Sequence, residues 1–213
     1  MNKITIVYVT SNREDPAFEN LVKQKLLEVA GDHPLISVSQ KPIDLGKNIC
    51  VGDIGQSYMN AYRQLLVGAK AAETEFVMPA ESDQLYPPGY FDFVPGDHHL
   101  YVYQDLWVLT LGDRSKFWKK DFGDWVVAIK RDYFISRLEA KIAEEKVLPP
   151  GKVHSIHRRF ASNKFIRFNV GAPVITIKTD RNINKKTGHT ADTTYELPHW
   201  GKADDLSKYF GLQ

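Results

Sequence analysis

The stretch EFVMPAESDQLYPPGYF, residues 75–91, combines an apolar run, two closely spaced acids and a pair of prolines. Its first part, residues 75–80, has the composition of a buried strand and leads directly into Glu81-Ser82-Asp83. Two carboxylates in this spacing, at the bend where a strand ends, can both reach one hard cation such as Mg²⁺ or Mn²⁺. Such a pair can also simply cap the turn that leads into the prolines, and the surrounding elements decide between the two interpretations.

A strand, a helix and a second strand are predicted before this stretch. Ile4–Thr10 is apolar and rich in β-branched residues, which predicts a buried strand. Asp15 and Pro16 suit the start of a helix, and Gly31 supplies its end. Leu35–Ser39 predicts the next strand. An alternation of strands and helices is typical of a parallel sheet with helices on its faces.

The segment that leads to the acidic stretch predicts a long helix over about residues 53–72. Asp53 followed by Gln56 resembles a capping box at its start. Apolar residues then recur at helical spacing, and Asn60 and Arg63 lie off the apolar stripe.

The second half of the chain is richer in aromatic and β-branched residues. Strands are predicted at residues 99–111 and 125–129, with a last strand at Val174–Lys178. Residues 131–146 predict a charged amphipathic helix, and the aromatic and lysine run at 117–120 is expected in a loop. The chain as a whole therefore predicts one α/β domain, in which a mixed central sheet is flanked by helices.

Composition narrows the class of protein. The 213 residues are 43% hydrophobic and 25% charged, which is typical of a soluble protein with a core and excludes a disordered chain, a collagen and a coiled coil. The longest apolar runs have the length of strands, so no membrane span is expected, and the N-terminus lacks the shape of a signal peptide. A single cysteine, Cys50, excludes an internal disulfide framework and is expected to be a small buried apolar residue. These features favour a cytoplasmic protein.

Positive charge is concentrated in the last third of the chain. Residues 146–190 contain ten Lys or Arg against one acid, Asp180, while the rest contains 18 basic and 25 acidic residues. Such asymmetry is typical of proteins with a polyanionic partner, nucleic acid first. A solvated basic face on an ordinary enzyme is the other interpretation.

Taken in order, these patterns resemble the family-2-type glycosyltransferases, which have the nucleotide-sugar-binding GT-A fold. The acidic stretch is similar to their strand, D-x-D, proline and aromatic pattern, with Glu81 in place of the first aspartate. KITIVYVTSNRED (3–15) resembles their first strand and nucleotide loop, and DIGQSYMNAYRQLLVGAKAAETEFVM (53–78) resembles the helix before the metal strand. WVVAIKRDYF (125–134) resembles a later strand that ends in a basic pair, so that the likeness covers roughly residues 3–135.

The resemblance implies a fold and an activity. The fold would be a Rossmann-like GT-A domain over residues 1–213, with a nucleotide-sugar-binding half at 1–97 and an acceptor-binding half at 98–213. The activity would be the metal-dependent transfer of a hexosyl or pentosyl group from a nucleotide-sugar, a UDP-sugar first, to an acceptor hydroxyl. The cofactor would be Mn²⁺ or Mg²⁺.

The resemblance also assigns residues to the donor and the metal. For Asn60 and Arg63, which lie in the predicted helix, a solvated helix face is the competing interpretation. The expected donor site comprises Thr10, Ser11, Asn12, Arg13, Asp44, Asn60 and Arg63, and the expected metal ligands are Glu81, Asp83 and His189. A structural histidine is the alternative for the last ligand.

A general base for the acceptor hydroxyl is harder to place, because the Glu-Asp pair that such enzymes often carry after the later strand is missing. The candidates are Asp124, at the start of that strand, and Glu144, in the following helix. For Glu144 a place on a charged helix face is the competing interpretation.

The acceptor is predicted from charge. A polyanionic acceptor fits the basic third, and small transferases of this kind occur in phages that glycosylate hydroxymethylated bases. The resemblance to such phage enzymes thus implies a hydroxymethylated pyrimidine in double-stranded DNA as the acceptor, with the host cytoplasm as location for a phage protein. A surface glycan or a small molecule is the alternative acceptor. A non-catalytic nucleic-acid-binding module is the alternative class, and a nucleotidyltransferase is disfavoured because TSNRED (10–15) has no glycine.

Overall fold

The protein is described from a computed structural model that covers residues 3–110, 116–121, 123, 125–145, 147, 165–183 and 192–211. Four helices and two larger sheets make up this part of the chain. The helices are α1 (Pro16–Ala30), α2 (Tyr58–Ala71), α3 (Arg131–Glu145) and α4 (Ala203–Tyr209). The strands are β1 (Ile4–Thr10), β2 (Leu35–Ser39), β3 (Lys47–Cys50), β4 (Phe76–Glu81), β5 (Gln84–Leu85), β6 (Leu100–Tyr103), β7 (Leu106–Thr110), β8 (Lys116–Lys120), β9 (Val127–Lys130), β10 (Ile166–Phe168), β11 (Val174–Lys178), β12 (Thr193–Thr194), β13 (Glu196–Leu197) and β14 (Gly201–Lys202).

The larger sheet has the strand order β10-β6-β9-β4-β1-β2-β3. β1 pairs in parallel with both β2 and β4, and β2 pairs in parallel with β3. β9 runs antiparallel to β4 and to β6, so the sheet is mixed. In the β1–β4 register Val9 lies opposite Glu81, and this pairing brings the carboxyl ends of the two strands together.

Both faces of β1 are buried, because its residues alternate between two cores. Ile4, Ile6 and Tyr8 pack on one side in a core that includes residues of α1. Val7 and Val9 pack on the other side in a core formed with α2 and α3. The central strand therefore has an apolar sequence throughout, as expected for a parallel strand covered on both faces.

The second sheet has the order β12-β8-β7-β11-β5. Phe117, Ile175 and Ile177 project from one of its faces into a third core with residues of α1 and α4. β5 follows β4 after only two residues and pairs antiparallel with β11, so the chain from β4 to β5 joins the two sheets.

Pro79 lies within β4 and limits how far this strand can pair. Its partner on one side is Val7 of β1. On the other side β9 pairs only with Phe76 and Val77, before the proline is reached. A proline has no N–H to donate, so it is tolerated where one side of a strand is free of a partner. From residue 78 onward, β4 is paired on the β1 side alone among the described strands.

The predicted fold class is confirmed: a mixed central sheet is flanked by helices in an α/β architecture. The seven-stranded sheet takes strands from both halves of the chain.

The start of the second helix was predicted wrongly. α2 begins at Tyr58, and Ser57 caps it by accepting the Asn60 N–H at 3.1 Å. The Asp53 carboxylate instead accepts the N–H of Gly55 at 3.1 Å, in a local turn before the helix. A serine closer to the first apolar turn thus takes the role that was expected of the aspartate.

The long strand predicted at 99–111 is two strands, β6 and β7, which belong to different sheets. The chain leaves one sheet and enters the other at Gln104 and Asp105, where the Gln104 N–H bonds to Phe168 and the Asp105 carbonyl accepts the Val174 N–H. Residues 117–120 lie in strand β8 rather than a loop, held between β7 and β12.

Several further differences come from short elements. β3 and β10 were not predicted, and β11 is followed by three two-residue strands. Cys50 is exposed rather than buried, because it ends the edge strand β3.

Gly68 of α2 provides a test of how closely this helix packs on the sheet. A Cβ at this position would lie 2.3 Å from Cγ1 of Val7 and 3.2 Å from Cγ2 of Val38. We expect Gly68→Ala to lower the free energy of unfolding by about 1–3 kcal/mol, measured by urea denaturation, because the helix must move away from β1.

Removal of the Val7 methyl group that the new Cβ would meet tests whether this clash causes the loss of stability. In a Val7→Ala background, Gly68→Ala should cost less than in the wild-type chain, with a coupling of about 0.5 kcal/mol or more. Additive losses would show that the clash is not what destabilises the variant.

Candidate functional site

An open cleft lies at the carboxyl ends of β1 and β4. The chain leaves β1 toward β2 on one side, while β4 lies on the other, so the cleft is at the point where the strand order reverses. Open α/β sheets bind ligands in the crevice at such a point. The residues that line it are Val9, Thr10, Ser11, Glu14, Gln40, Gly55, Gln56, Ser57, Tyr58, Asn60, Ala61, Tyr62, Gln64, Glu81, Ser82, Asp83, Gln84, Lys120, Trp125, Thr176, Lys178, Asn182 and Ile183.

The loop after β1 is fixed by side-chain hydrogen bonds. Asn12 has a positive φ of 52°, and its Oδ1 accepts the backbone N–H groups of Gln40 and Lys41 at 2.9 and 2.8 Å. The N–H of Asn12 donates to Oγ1 of Thr10 at 2.9 Å. This pattern holds the β1 loop against the end of β2 and leaves Thr10 and Ser11 on the cleft wall.

Gln64 of α2 reaches under this wall. Its Nε2 donates to the carbonyls of Thr10 and Val38 at 2.8 and 2.9 Å, and the residue is only 3% exposed. One buried amide group thereby satisfies carbonyls at the ends of two neighbouring strands, where the regular ladder stops.

Residues 53–57, of which the last three line the cleft, form another of its edges. Gln40 holds them, because its Nε2 donates to Gly55 O at 2.8 Å and its Oε1 accepts the Ile54 N–H at 3.2 Å. Asn60 donates to the carbonyls of Ile54 and Gly55. The Gly55 N–H and the Arg13 guanidinium, 2.6 Å away, lower the pKa of the Asp53 carboxyl.

The two acids at the end of β4 are both held by amide side chains. Glu81 Oε2 accepts from Gln84 Nε2 at 2.6 Å, and Asp83 Oδ2 accepts from Asn182 Nδ2 at 2.8 Å. Tyr86 adds to this arrangement, since its Oη accepts the Glu81 N–H at 3.1 Å and donates to Gln84 Oε1 at 2.7 Å. These contacts fix the direction of both carboxylates.

Two lysines line the same cleft close to these acids. Burial raises the pKa of Asp83, and the positive charges of Lys178 and Lys120 oppose that rise. Burial lowers the pKa of Lys178, and the charge of Asp83 opposes that change. The cleft therefore contains groups of both signs with restricted access to water.

A short segment after β11 crosses the mouth of the cleft. Thr179 Oγ1 donates to Glu14 Oε2 at 2.8 Å, and Arg181 Nη1 donates to the carbonyl of Arg13 at 3.1 Å. Gln56 Nε2 donates to the carbonyl of Arg181 at 3.0 Å. The segment thus connects the β1 loop with the edge formed by residues 53–57.

The donor set at the end of β4 suits a divalent cation of the Mg²⁺ or Mn²⁺ kind. Glu81 and Asp83 supply hard oxygen ligands on one bend of the chain. Within the described ranges no group of three or more His, Cys, Asp or Glu converges on one point. Mg²⁺ is ordinarily held by one or two carboxylates together with waters and substrate phosphates, so two acids fit it.

The structure brings together some of the residues predicted from the sequence. Thr10, Ser11, Asn60, Glu81 and Asp83 all line the cleft. Asp124 and His189 lie outside the described residues.

The remaining predicted residues do not line the cleft. Asn12 supports the β1 loop, and Arg13 pairs with Asp53. Asp44 is exposed in the loop between β2 and β3. Arg63 pairs with Glu145 of α3 and donates to Asn60 Oδ1 at 2.6 Å. Glu144 is exposed on α3 and pairs with Lys141 at 3.1 Å, in agreement with the helix-face interpretation.

Sequence reasoning missed several members of the site. Glu14 is 8% exposed although it follows a polar loop, and Lys178 and Asn182 come from the far end of the chain. Lys178 comes directly after an apolar run, as Glu81 does in β4. A charged residue in this position was a usable signal for a member of the site. Gln64 carried no signal, since a lone glutamine in a helix is usually exposed.

Glu14 gives a test of the electrostatics of the cleft. Burial is the largest cause of its raised pKa, and the negative charge of Asp83 adds to it. The unfolded chain therefore releases the Glu14 proton at lower pH than the folded chain, and ionisation destabilises the fold as the pH rises through this range.

We therefore expect Glu14→Gln to increase the free energy of unfolding at neutral pH, because an amide oxygen can still accept from Thr179 without a buried charge. The gain should disappear below the pKa of an unperturbed glutamate. Urea denaturation at several pH values measures it, and a gain that is constant with pH would contradict the explanation.

Comparison with solved structures supports the fold. The chain aligns with the apo form of the glycosyltransferase GlyE of Streptococcus pneumoniae TIGR4 with a TM-score of 0.51 and 11% identity over 79% of this chain. It covers 46% of that protein, so it spans about half of GlyE. A complex of S. aureus TarS 1–349 with UDP-GlcNAc aligns with a TM-score of 0.48 and 11% identity, over 84% of this chain and 59% of that one.

A more distant likeness extends to another kind of enzyme. A CMP:2-keto-3-deoxy-manno-octonic acid synthetase complexed with CTP aligns with a TM-score of 0.44 and 12% identity over 99% of this chain and 98% of that one. No protein-family model and no curated protein matches the sequence. No helix in the described part of the chain is long and apolar enough to cross a membrane. The likeness to GlyE thus agrees with the geometry on a GT-A-like fold.

Proposed function

We propose that the chain is a metal-dependent glycosyltransferase that moves a sugar from a nucleotide-sugar to an acceptor hydroxyl. The observation that carries this proposal is the position of Glu81 and Asp83 at the end of β4, directly beside the end of β1, in the cleft where the strand order reverses. The likeness of the fold to GlyE adds support. UDP is proposed as the nucleotide because the sequence resembles the family-2-type enzymes.

The donor would lie across the ends of the central strands. Thr10 and Ser11, on the cleft wall, are the residues proposed to contact the nucleoside, and Asn60 lines the same cleft from the start of α2. Gln64 and Asn12 act on this wall indirectly, because they fix the ends of β1 and β2 by the hydrogen bonds described above. Because this wall is fixed before the donor binds, less conformational entropy is lost when the donor binds.

The transfer is a substitution at the anomeric carbon. The acceptor oxygen forms the new bond to this carbon, while the bond to the diphosphate oxygen breaks and its electron pair leaves with the nucleoside diphosphate. Mg²⁺ or Mn²⁺ held by Glu81 and Asp83 would offset the negative charge that develops on the leaving group. Asp124 is proposed as the base that takes the proton of the acceptor, and Glu144 is less suited because it pairs with Lys141.

For the acceptor we propose a hydroxymethylated pyrimidine in double-stranded DNA, of the kind found in phages. The support is the excess of basic residues between 146 and 190. Among the described members, Arg167 and Arg181 are exposed and Lys178 lines the cleft. An exposed hydroxyl in the major groove or on an extruded base would be in reach of such a site.

Replacement of the two acids tests the activity. We expect Glu81→Gln and Asp83→Asn each to lower kcat for sugar transfer by about 100-fold or more, because each variant loses a charged ligand at the leaving group. The measurement is the release of nucleoside diphosphate from a panel of UDP- and GDP-sugars with Mn²⁺ or Mg²⁺.

Glu75→Gln is the matched control, since Glu75 is an exposed acid just before the opposite end of β4. It should retain wild-type activity. Equal rates in all three variants, or no release of nucleotide by the wild-type protein with any donor, would refute the transferase.

The acceptor is tested separately by mass spectrometry. We expect a mass gain of one sugar on 5-hydroxymethylcytosine DNA and none on unmodified DNA, because only the former offers the hydroxyl. Nucleotide release with no gain on DNA would redirect the search to glycans and small molecules. DNA binding that survives loss of both acids, without any transfer, would favour a non-catalytic nucleic-acid-binding module.

A further inference from the structure

Two ammonium groups in the cleft carry no ion pair within the described part of the chain. They belong to Lys120, at the end of β8, and Lys178, at the end of β11. Both line the cleft, and both are partly buried. Most other described lysines of the two sheets and the helices do pair with an acid: Lys25, Lys70, Lys119, Lys130 and Lys141.

The pleat of the second sheet directs both side chains to the same side. Phe117 of β8 and Ile175 and Ile177 of β11 pack in the core on one face. Successive side chains of a strand point to opposite faces, so Lys120 and Lys178 lie on the other face, which borders the cleft. Lys120 lies opposite Leu106 and Lys178 opposite Thr110, so the two side chains reach the cleft from opposite ends of β7. Burial and the positive charge of Lys120 both lower the pKa of Lys178.

Backbone pairing places Lys178 next to the acids. The Ile177 N–H donates to the carbonyl of Asp83 at 2.7 Å, and Thr176 pairs with Gln84 across β11 and β5. Lys178 therefore follows directly the residue that is bonded to Asp83. The pairing of β11 with β5 thus fixes the backbone of Lys178 near that of Asp83, independently of their charges.

Partial burial of two like charges is costly unless a counter-ion is present. The negative charges of Asp83 and Glu81 act on Lys178 and offset part of this cost while no cation is held between the two acids. A dication held by these acids would balance them and leave no net positive charge for a diphosphate. The two ammonium groups would supply that charge.

We infer that Lys120 and Lys178 form a diphosphate-binding pair, which holds the phosphates of a nucleoside diphosphate from the side of the second sheet. This inference rests on the proposed function, because it assigns residues to the leaving group of that reaction. Lysine binds phosphate as a compact point charge. The seven-stranded sheet then provides the nucleoside wall and the acids, and the five-stranded sheet provides the cations.

Binding of UDP in EDTA tests the pair without a metal. By isothermal titration calorimetry, Lys120→Met and Lys178→Met should each weaken UDP binding by about tenfold or more, as expected for loss of a charge-assisted contact. Uridine, which has no phosphate, should bind both variants as it binds the wild-type protein. Lys208→Met is the matched control, because Lys208 is exposed on α4 and does not line the cleft.

Each outcome decides the inference. If either variant binds UDP with the affinity of the wild-type protein, the inference is overturned. It is also overturned if a variant loses as much affinity for uridine as for UDP, because this would indicate a distorted cleft. If the wild-type protein binds neither UDP nor pyrophosphate, the inference is also overturned. If UDP binding depends on the lysines while no donor and acceptor give transfer, the diphosphate pair stands and the transferase proposal fails.

Discussion

The parallel pairing of β1 with β4 is the contact on which the rest of the structure depends. It is buried on both faces, since alternate residues of β1 enter two different cores. The same pairing sets the register in which Val9 lies opposite Glu81. A shift of one residue would turn the apolar side chains of β1 to the wrong cores and would also separate the acids from the loop that carries Thr10. Stability and the geometry of the cleft are thus specified by one set of backbone hydrogen bonds.

The cleft combines contributions from two sheets with different cores. Amide side chains at positions 40, 60, 64, 84 and 182 hold its walls, and charged side chains project between them. Amides can both donate and accept, so they fix neighbouring groups without adding charge. The charged side chains of the cleft are then available to bind a ligand.

The sequence was sufficient for the parts of this arrangement that depend on local chemistry. The apolar run that ends in two acids predicted β4 and its position in the site, and the caps of α1 were read correctly from Asp15, Pro16 and Gly31. Residues whose place depends on tertiary pairing were not predicted. Arg63 reaches Glu145 across 82 positions of sequence, and the break at Gln104 and Asp105 exists only because two sheets diverge there. Lys178 enters the cleft through the antiparallel pairing of β11 with β5, for which periodicity gives no signal.

Pro79 has a structural consequence for the shape of the site. Among the described strands, β9 does not follow β4 past Val77, and Trp125, just before β9, lines the cleft. Trp125 packs edge-on against Tyr62 at 5.1 Å between ring centres. The missing amide hydrogen of a single imino acid thus ends the pairing on this side of β4, and it leaves an aromatic side chain rather than a neighbouring strand on this part of the cleft wall.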